Sequence, residues 1–191
     1  GSDWSAVGDG LDGQGFPAVL ALDVFDDMSG SGPRLVAGGD FLESGDGPPL
    51  LSLGAWDGAA WGQVGSGLFG VAPDMIVHDD GSGASLFVAG PAYAGALELN
   101  GIGRWDGETW HSLGRGIDGL VLTIAAHDDG NGTDLYAGGG FTMAGGLPAN
   151  RIARWDGEDW SALGLGMNLG AVRALASFDE GAGAGPALFA G

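Results

Sequence analysis

The chain has 191 residues, 42 of them Gly, with 25 acidic side chains against six Arg, no Lys and no Cys, giving a formal charge of −19. Such a field repels phosphate backbones and anionic membrane surfaces, so nucleic acid and anionic membranes are excluded as partners; the lack of Cys excludes disulfides, thiolate catalysis and Cys-ligated zinc. With 45% hydrophobic residues and seven Trp spaced periodically, the glycine content reads as tight-turned β structure rather than disorder, and no apolar run reaches the roughly 18 residues that span a bilayer as a helix.

In chain order, residues 1–16 open with Gly1-Ser2-Asp3-Trp4, a partial copy of a phrase that returns three times, and are expected to supply one strand around Trp4 to Val7. Repeat one, 17–65, runs apolar from Val19 to Phe25, turns at Asp26-Asp27, continues from Arg34 to Phe41 and ends in Trp56-Asp57-Gly58-Ala59-Ala60-Trp61. Repeat two, 66–114, runs Met75 to His78, turns at Asp79-Asp80-Gly81, continues Leu86 to Ala89 and ends in Trp105-Asp106-Gly107-Glu108-Thr109-Trp110. Its Gly90-Pro91 replaces the Gly-Gly of the other copies; Pro cannot donate to a sheet ladder, so the strand is expected to stop early or to lie on an exposed edge. Repeat three, 115–164, is the cleanest and predicts strands at 120–127, 134–138, 151–156 and 159–163, the last two joined through Trp155-Asp156-Gly157-Glu158-Asp159-Trp160. Repeat four, 165–191, carries only two strands, Ala171 to Phe178 and Leu188 to Ala190, around Asp179-Glu180-Gly181.

Each apolar run is short and bounded by Gly or Asp, and the Asp-Gly of each Trp phrase offers the positive φ of a tight hairpin. Four consecutive antiparallel strands per repeat, with no helical period between copies, predict an all-β fold of four-stranded meanders. Stacked at a fixed period, these are blades of a β-propeller, about three and a half of them, forming part of a larger ring or an oligomer.

A hydrophobic strand ending in Gly-Gly, followed by a strand ending in Trp-Asp and a Trp five residues later, is similar to the kelch repeat. It resembles still more the Gly- and Asp-rich propeller repeats of Trp-Asp-Gly-x-x-Trp type in large secreted bacterial proteins, over nearly the whole chain. The resemblance implies a propeller and export to the outside or the cell surface, and it brings no catalytic residues. Arg104 to Trp110 resembles the Asp box of sialidase-type propellers but has Asp and Gly adjacent and no Ser; galactose-oxidase-like propellers need a Cys that this chain does not have.

The candidate chemistry is sparse. The acidic turns recur at matching places, and Asp128, Asp129, Asn131 and Asp134 form the densest oxygen cluster, a candidate for Ca²⁺; the competing reading is that each Asp bonds nearby backbone amides. His78 and His127 stand where repeats one and four have Phe25 and Phe178, which reads as packing rather than chemistry. Trp56, Trp61, Trp105, Trp110, Trp155 and Trp160 either line a sugar-binding surface or face each other across hairpins and pack between blades. Together with Trp4, Asp57, Asp106 and Asp156 they form the structural signature of the repeat. Arg104 and Arg154 are expected to pair with acids or stack on indole. The expected function is a noncatalytic extracellular or cell-surface module for protein binding, adhesion or assembly, with a carbohydrate-binding propeller as the alternative and no cofactor other than the candidate Ca²⁺.

Overall fold

The computed structural model describes residues 6–13, 16–28, 30–168, 170–179, 181 and 185–191; Trp4 and Glu180 lie outside them. The first sheet comprises β1 (Ala18–Phe25), β2 (Arg34–Asp40), β3 (Leu53–Trp56) and β4 (Trp61–Gln63). The next repeat contributes β5 (Met75–Asp79), β6 (Ala84–Ala89), a short ribbon of β7 (Tyr93–Ala94) and β8 (Leu97–Glu98), then β9 (Ile102–Trp105) and β10 (Trp110–Ser112). The third repeats this plan with β11 (Leu120–Asp128), β12 (Thr133–Gly140), the ribbon β13 (Met143–Ala144) and β14 (Leu147–Pro148), β15 (Ile152–Trp155) and β16 (Trp160–Ala162). A hairpin of β17 (Leu175–Phe178) and β18 (Ala187–Ala190) closes the described chain.

Three four-stranded antiparallel sheets result, in the orders β1-β2-β3-β4, β5-β6-β9-β10 and β11-β12-β15-β16. The first strands of successive units stand beside one another, β1 by β5, β5 by β11 and β11 by β17. Among the described residues no helix is long and apolar enough to cross a membrane. Two-residue strands leave no periodicity in the sequence; the turns of these ribbons are marked only by glycine at positive φ, Gly95 at 57° in the second repeat and Gly145-Gly146 at 62° and 85° in the third.

The core lies between the sheets, not within any one of them. On β6, Leu86 and Val88 join a cluster with Phe25, Val36 and Leu53 of the first sheet, while the alternate Phe87 and Ala89 join Val121, Ile124 and Leu135 of the third. Period-two alternation therefore sends one strand to two cores, which explains why these segments read as continuous apolar runs. Glycine is required where strands approach at a bulge. The register of β1 with β2 shifts between Val19 and Ala21, and that of β11 with β12 between Val121 and Thr123; a Cβ on Gly39 or Gly139 would strike the carbonyl oxygen of Ala18 or Leu120. In the second sheet, where Pro91 interrupts the pattern, β6 stops at Ala89. It pairs on both sides, with β5 and β9, so its early stop is not that of an edge strand.

Candidate functional site

The Trp-Asp-Gly-x-x-Trp phrases build one junction several times over. In each, the two Trp are directly opposite across the hairpin, Trp56 with Trp61, Trp105 with Trp110 and Trp155 with Trp160, with ring centroids 5.6, 5.3 and 5.4 Å apart and tilted planes. The Asp caps the four-residue loop. Asp57 Oδ1 accepts the amides of Ala59 and Ala60, Asp106 Oδ1 those of Glu108 and Thr109, and Asp156 Oδ1 those of Glu158 and Asp159. These amides hold the carboxyls of Asp57 and Asp156 below the usual range. At Asp106 partial burial opposes ionisation, but the Thr109 and Glu108 amides and the neighbouring His111 outweigh it and hold the group well below that range; His111 Nε2 lies 2.6 Å from Asp106 Oδ2. The Gly after each Asp takes φ of 98° to 101°, a conformation open to Gly and strained for other residues.

What each hairpin touches belongs to the preceding unit. Trp160 Nε1 donates to the carbonyl of Leu113 at 3.0 Å and Trp61 Nε1 to that of Val7 at 3.1 Å. The first Trp of each pair, Trp56, Trp105 or Trp155, lies over Gly8, Gly65 or Gly114, in each case with φ near 60°; the Nε1 of Trp110, unlike those of Trp61 and Trp160, has no hydrogen-bond partner among the described residues. Trp155 Nε1 also donates to Asp80 Oδ2 at 3.0 Å, and Gly107 and Gly157 press so closely on the backbones of Asp27 and Asp80 that a Cβ would collide with a carbonyl oxygen. Trp61, Trp105, Trp110, Trp155 and Trp160 are all buried. Their aromatic faces are spent on packing.

The acidic turns thus have two tasks. The first Asp closes its own turn: Asp79 Oδ1 accepts the amides of Gly81 and Gly83, and Asp128 Oδ1 those of Gly130 and Gly132. In the first two sheets the second, Asp27 or Asp80, meets both the next unit and a guanidinium, and in the third sheet the guanidinium goes to Asp134 instead. Arg104 reaches Asp80 at 3.4 Å, Arg154 reaches Asp134 at 2.5 Å, and in the first sheet, where Ala55 replaces the Arg, Arg34 of β2 pairs with Asp27 instead. Of the candidate Ca²⁺ ligands, Asp128 is thus engaged by turn amides, Asp129 Oδ1 by the amide and side chain of Asn131 at 3.1 and 3.0 Å, and Asp134 by Arg154. Among the described residues no three His, Asp or Glu form a group fitted to a metal ion.

His78 and His127 are buried against Phe87 and Tyr136, with ring centroids 5.9 and 5.6 Å apart. Burial pushes the His78 imidazole below its ordinary value despite the nearby carboxylates of Asp80, Asp79 and Asp134, and its Nε2 has no hydrogen-bond partner among the described residues. His127 Nδ1 lies 2.8 Å from Ser177 Oγ, a bond to the next hairpin.

Two junction residues left no sequence signal. Asp23 Oδ2 accepts the Val77 amide at 2.9 Å and Asp74 Oδ2 the Ile124 amide at 2.8 Å, stapling the first strand of one unit to that of the next. A mid-strand or strand-leading Asp in an acidic chain looks like any solvated charge until its neighbour is in place. Comparison with protein-family models, curated proteins and solved structures gives no match for this chain.

Proposed function

We propose that this chain is a noncatalytic β-propeller segment, exported or displayed at the cell surface, whose work is protein binding and assembly. The observation that carries the reading is the repeated junction: each unit offers one apolar face forward and one backward, and among the described residues apolar side chains of the first sheet and of the last hairpin are exposed. Val19 and Leu22 of β1 and Phe178 and Phe189 at the final hairpin are exposed. Apolar surface of that kind on a chain of charge −19 is suited to a protein partner, and side-by-side first strands with meander sheets are the geometry of propeller blades. The carbohydrate alternative draws on flat Trp faces, and of the six described Trp five are buried and Trp56 is half-buried.

Solution mass tests the proposal. Light scattering on the purified chain is expected to report a mass above the 18.9 kDa of one copy, falling to that of one copy when Leu22→Lys or Phe178→Asp charges either face. A mass of one copy at all concentrations overturns the assembly reading, and specific retention on a glycan array would transfer the conclusion to the carbohydrate alternative.

A further inference from the structure

Asn occurs at four positions of this chain, and two of the four precede Gly: Asn100-Gly101 and Asn131-Gly132. Before Gly, the backbone nitrogen that follows an Asn reaches the side-chain carbonyl carbon with least obstruction, because Gly has no Cβ and adopts the backbone angles the approach needs. The fold treats the two pairs differently. Asn131 and Gly132 stand in the turn between β11 and β12, where every residue from Asp128 to Thr133 is exposed. Among the described residues the pair is bonded only by side chains of its own turn: the Gly132 amide donates to Asp128 Oδ1 at 3.2 Å, and the Asn131 amide and Nδ2 donate to Asp129 Oδ1 at 3.1 and 3.0 Å. Asn100 and Gly101 are half-buried and tied to the backbone of two other segments. The Asn100 carbonyl accepts the Ile117 amide at 2.8 Å, the Gly101 amide donates to the Pro91 carbonyl at 3.1 Å, and the Gly101 carbonyl accepts the Gly90 amide at 2.8 Å.

We infer that Asn131 is a site of spontaneous deamidation and that the fold protects Asn100 from the same reaction. The Gly132 nitrogen attacks Asn131 Cγ, and the new N–Cγ bond closes a five-membered imide. The Gly132 proton passes to the Asp128 carboxylate that already accepts it and on to solvent; the Cγ–Nδ2 bond breaks, and Nδ2 takes up a proton and leaves as ammonia. Water then adds to one of the two imide carbonyls. Opening on one side leaves Asp, and opening on the other leaves an isoaspartyl link in which the main chain runs through Cγ. Either product replaces an N–H donor by a carboxylate, so Asp129 Oδ1 loses its bond from Nδ2 and faces a like charge. The turn loosens there, while the ladder from Leu120 to Asp128 stays paired. Repeat two shows that the fold does not need Asn at this place. Ser82 occupies it, its amide and hydroxyl donating to Asp80 Oδ1 as the Asn131 amide and Nδ2 donate to Asp129 Oδ1.

The test ages the purified full chain in mildly alkaline buffer and follows its peptides by tandem mass spectrometry. Exchange of amide for acid raises the mass, whereas the Asp-Gly pairs of the Trp phrases isomerise without a change in mass. The gain is expected at Asn131, with an isoaspartyl fraction that an isoaspartate methyltransferase labels. At Asn100 it is expected to be at least about tenfold slower, because that peptide must first leave its backbone hydrogen bonds. In denaturing urea the two rates should become similar. Asn131→Ser should abolish the gain at that position and keep the melting temperature of the parent chain. The aged chain should exchange its Gly130 and Gly132 amides faster than the fresh one. No conversion at Asn131, conversion of Asn100 as fast as Asn131 in the folded chain, or a rate difference that survives in urea overturns the inference; unchanged exchange at Gly130 and Gly132 overturns the loosening of the turn.

Discussion

Strands β1 and β11 occupy the same place in their sheets, with the same bulge and the same partner register, and differ in their neighbours. Ile124 and Val121 of β11 face the second sheet and are 5% and 0% exposed, while their counterparts Leu22 and Val19 on β1 are 60% and 46% exposed. The residues are equally apolar. In this fold burial is a property of the junction, as expected where each unit buries its faces only against the next.

The largest effect should come from emptying a junction. Trp160→Ala removes a buried indole and its bond to Leu113, and is expected to cost about 3–5 kcal/mol in denaturant unfolding, more than Trp56→Ala, whose ring is only partly buried. Next, Ile124→Ala should cost about 2–4 kcal/mol and Leu22→Ala under about 0.5 kcal/mol in the single chain; equal costs would mean that β1 is covered in solution. Third, Asp156→Ala should lower stability by about 1 kcal/mol at neutral pH, the usual worth of a side-chain cap. Because the folded-state acid strength of Asp156 is raised, its contribution is full above the unfolded pKa near 3.8 and is lost as pH falls through the folded value, so variant and wild type should converge in acid.

The smallest effect concerns His78. Its folded pKa lies below 6.5, so the stability of the neutral form is complete above that pH and declines as pH falls through the folded value. His78→Phe introduces the residue that repeat one already uses as Phe25 and removes an unpartnered ring nitrogen. It should be neutral or stabilising by up to about 1 kcal/mol, with a flatter melting profile below pH 6.5; a loss above that pH would show that the ring nitrogen is satisfied in solution.

The strand positions were legible because turn residues with a stated task surround them: Asp57, Asp106 and Asp156 cap loops whose Gly must take positive φ, and the predicted strand at 120–127 differs by one residue from Leu120–Asp128. The candidate site was less legible. Asp128 and Asp129 look equivalent in the sequence, but one closes its own turn and the other occupies the position that, on Asp80, receives an indole from the following unit.

By itself the sequence determined the unit: short continuous apolar runs, Gly and Asp at the turns, and paired Trp five residues apart act through contacts between near neighbours in the chain. Only the tertiary structure decided what those residues serve. The indole of Trp155 reaches Asp80 across 75 positions of sequence and that of Trp160 reaches Leu113 across 47, and such bonds exist only after one sheet has been laid against another.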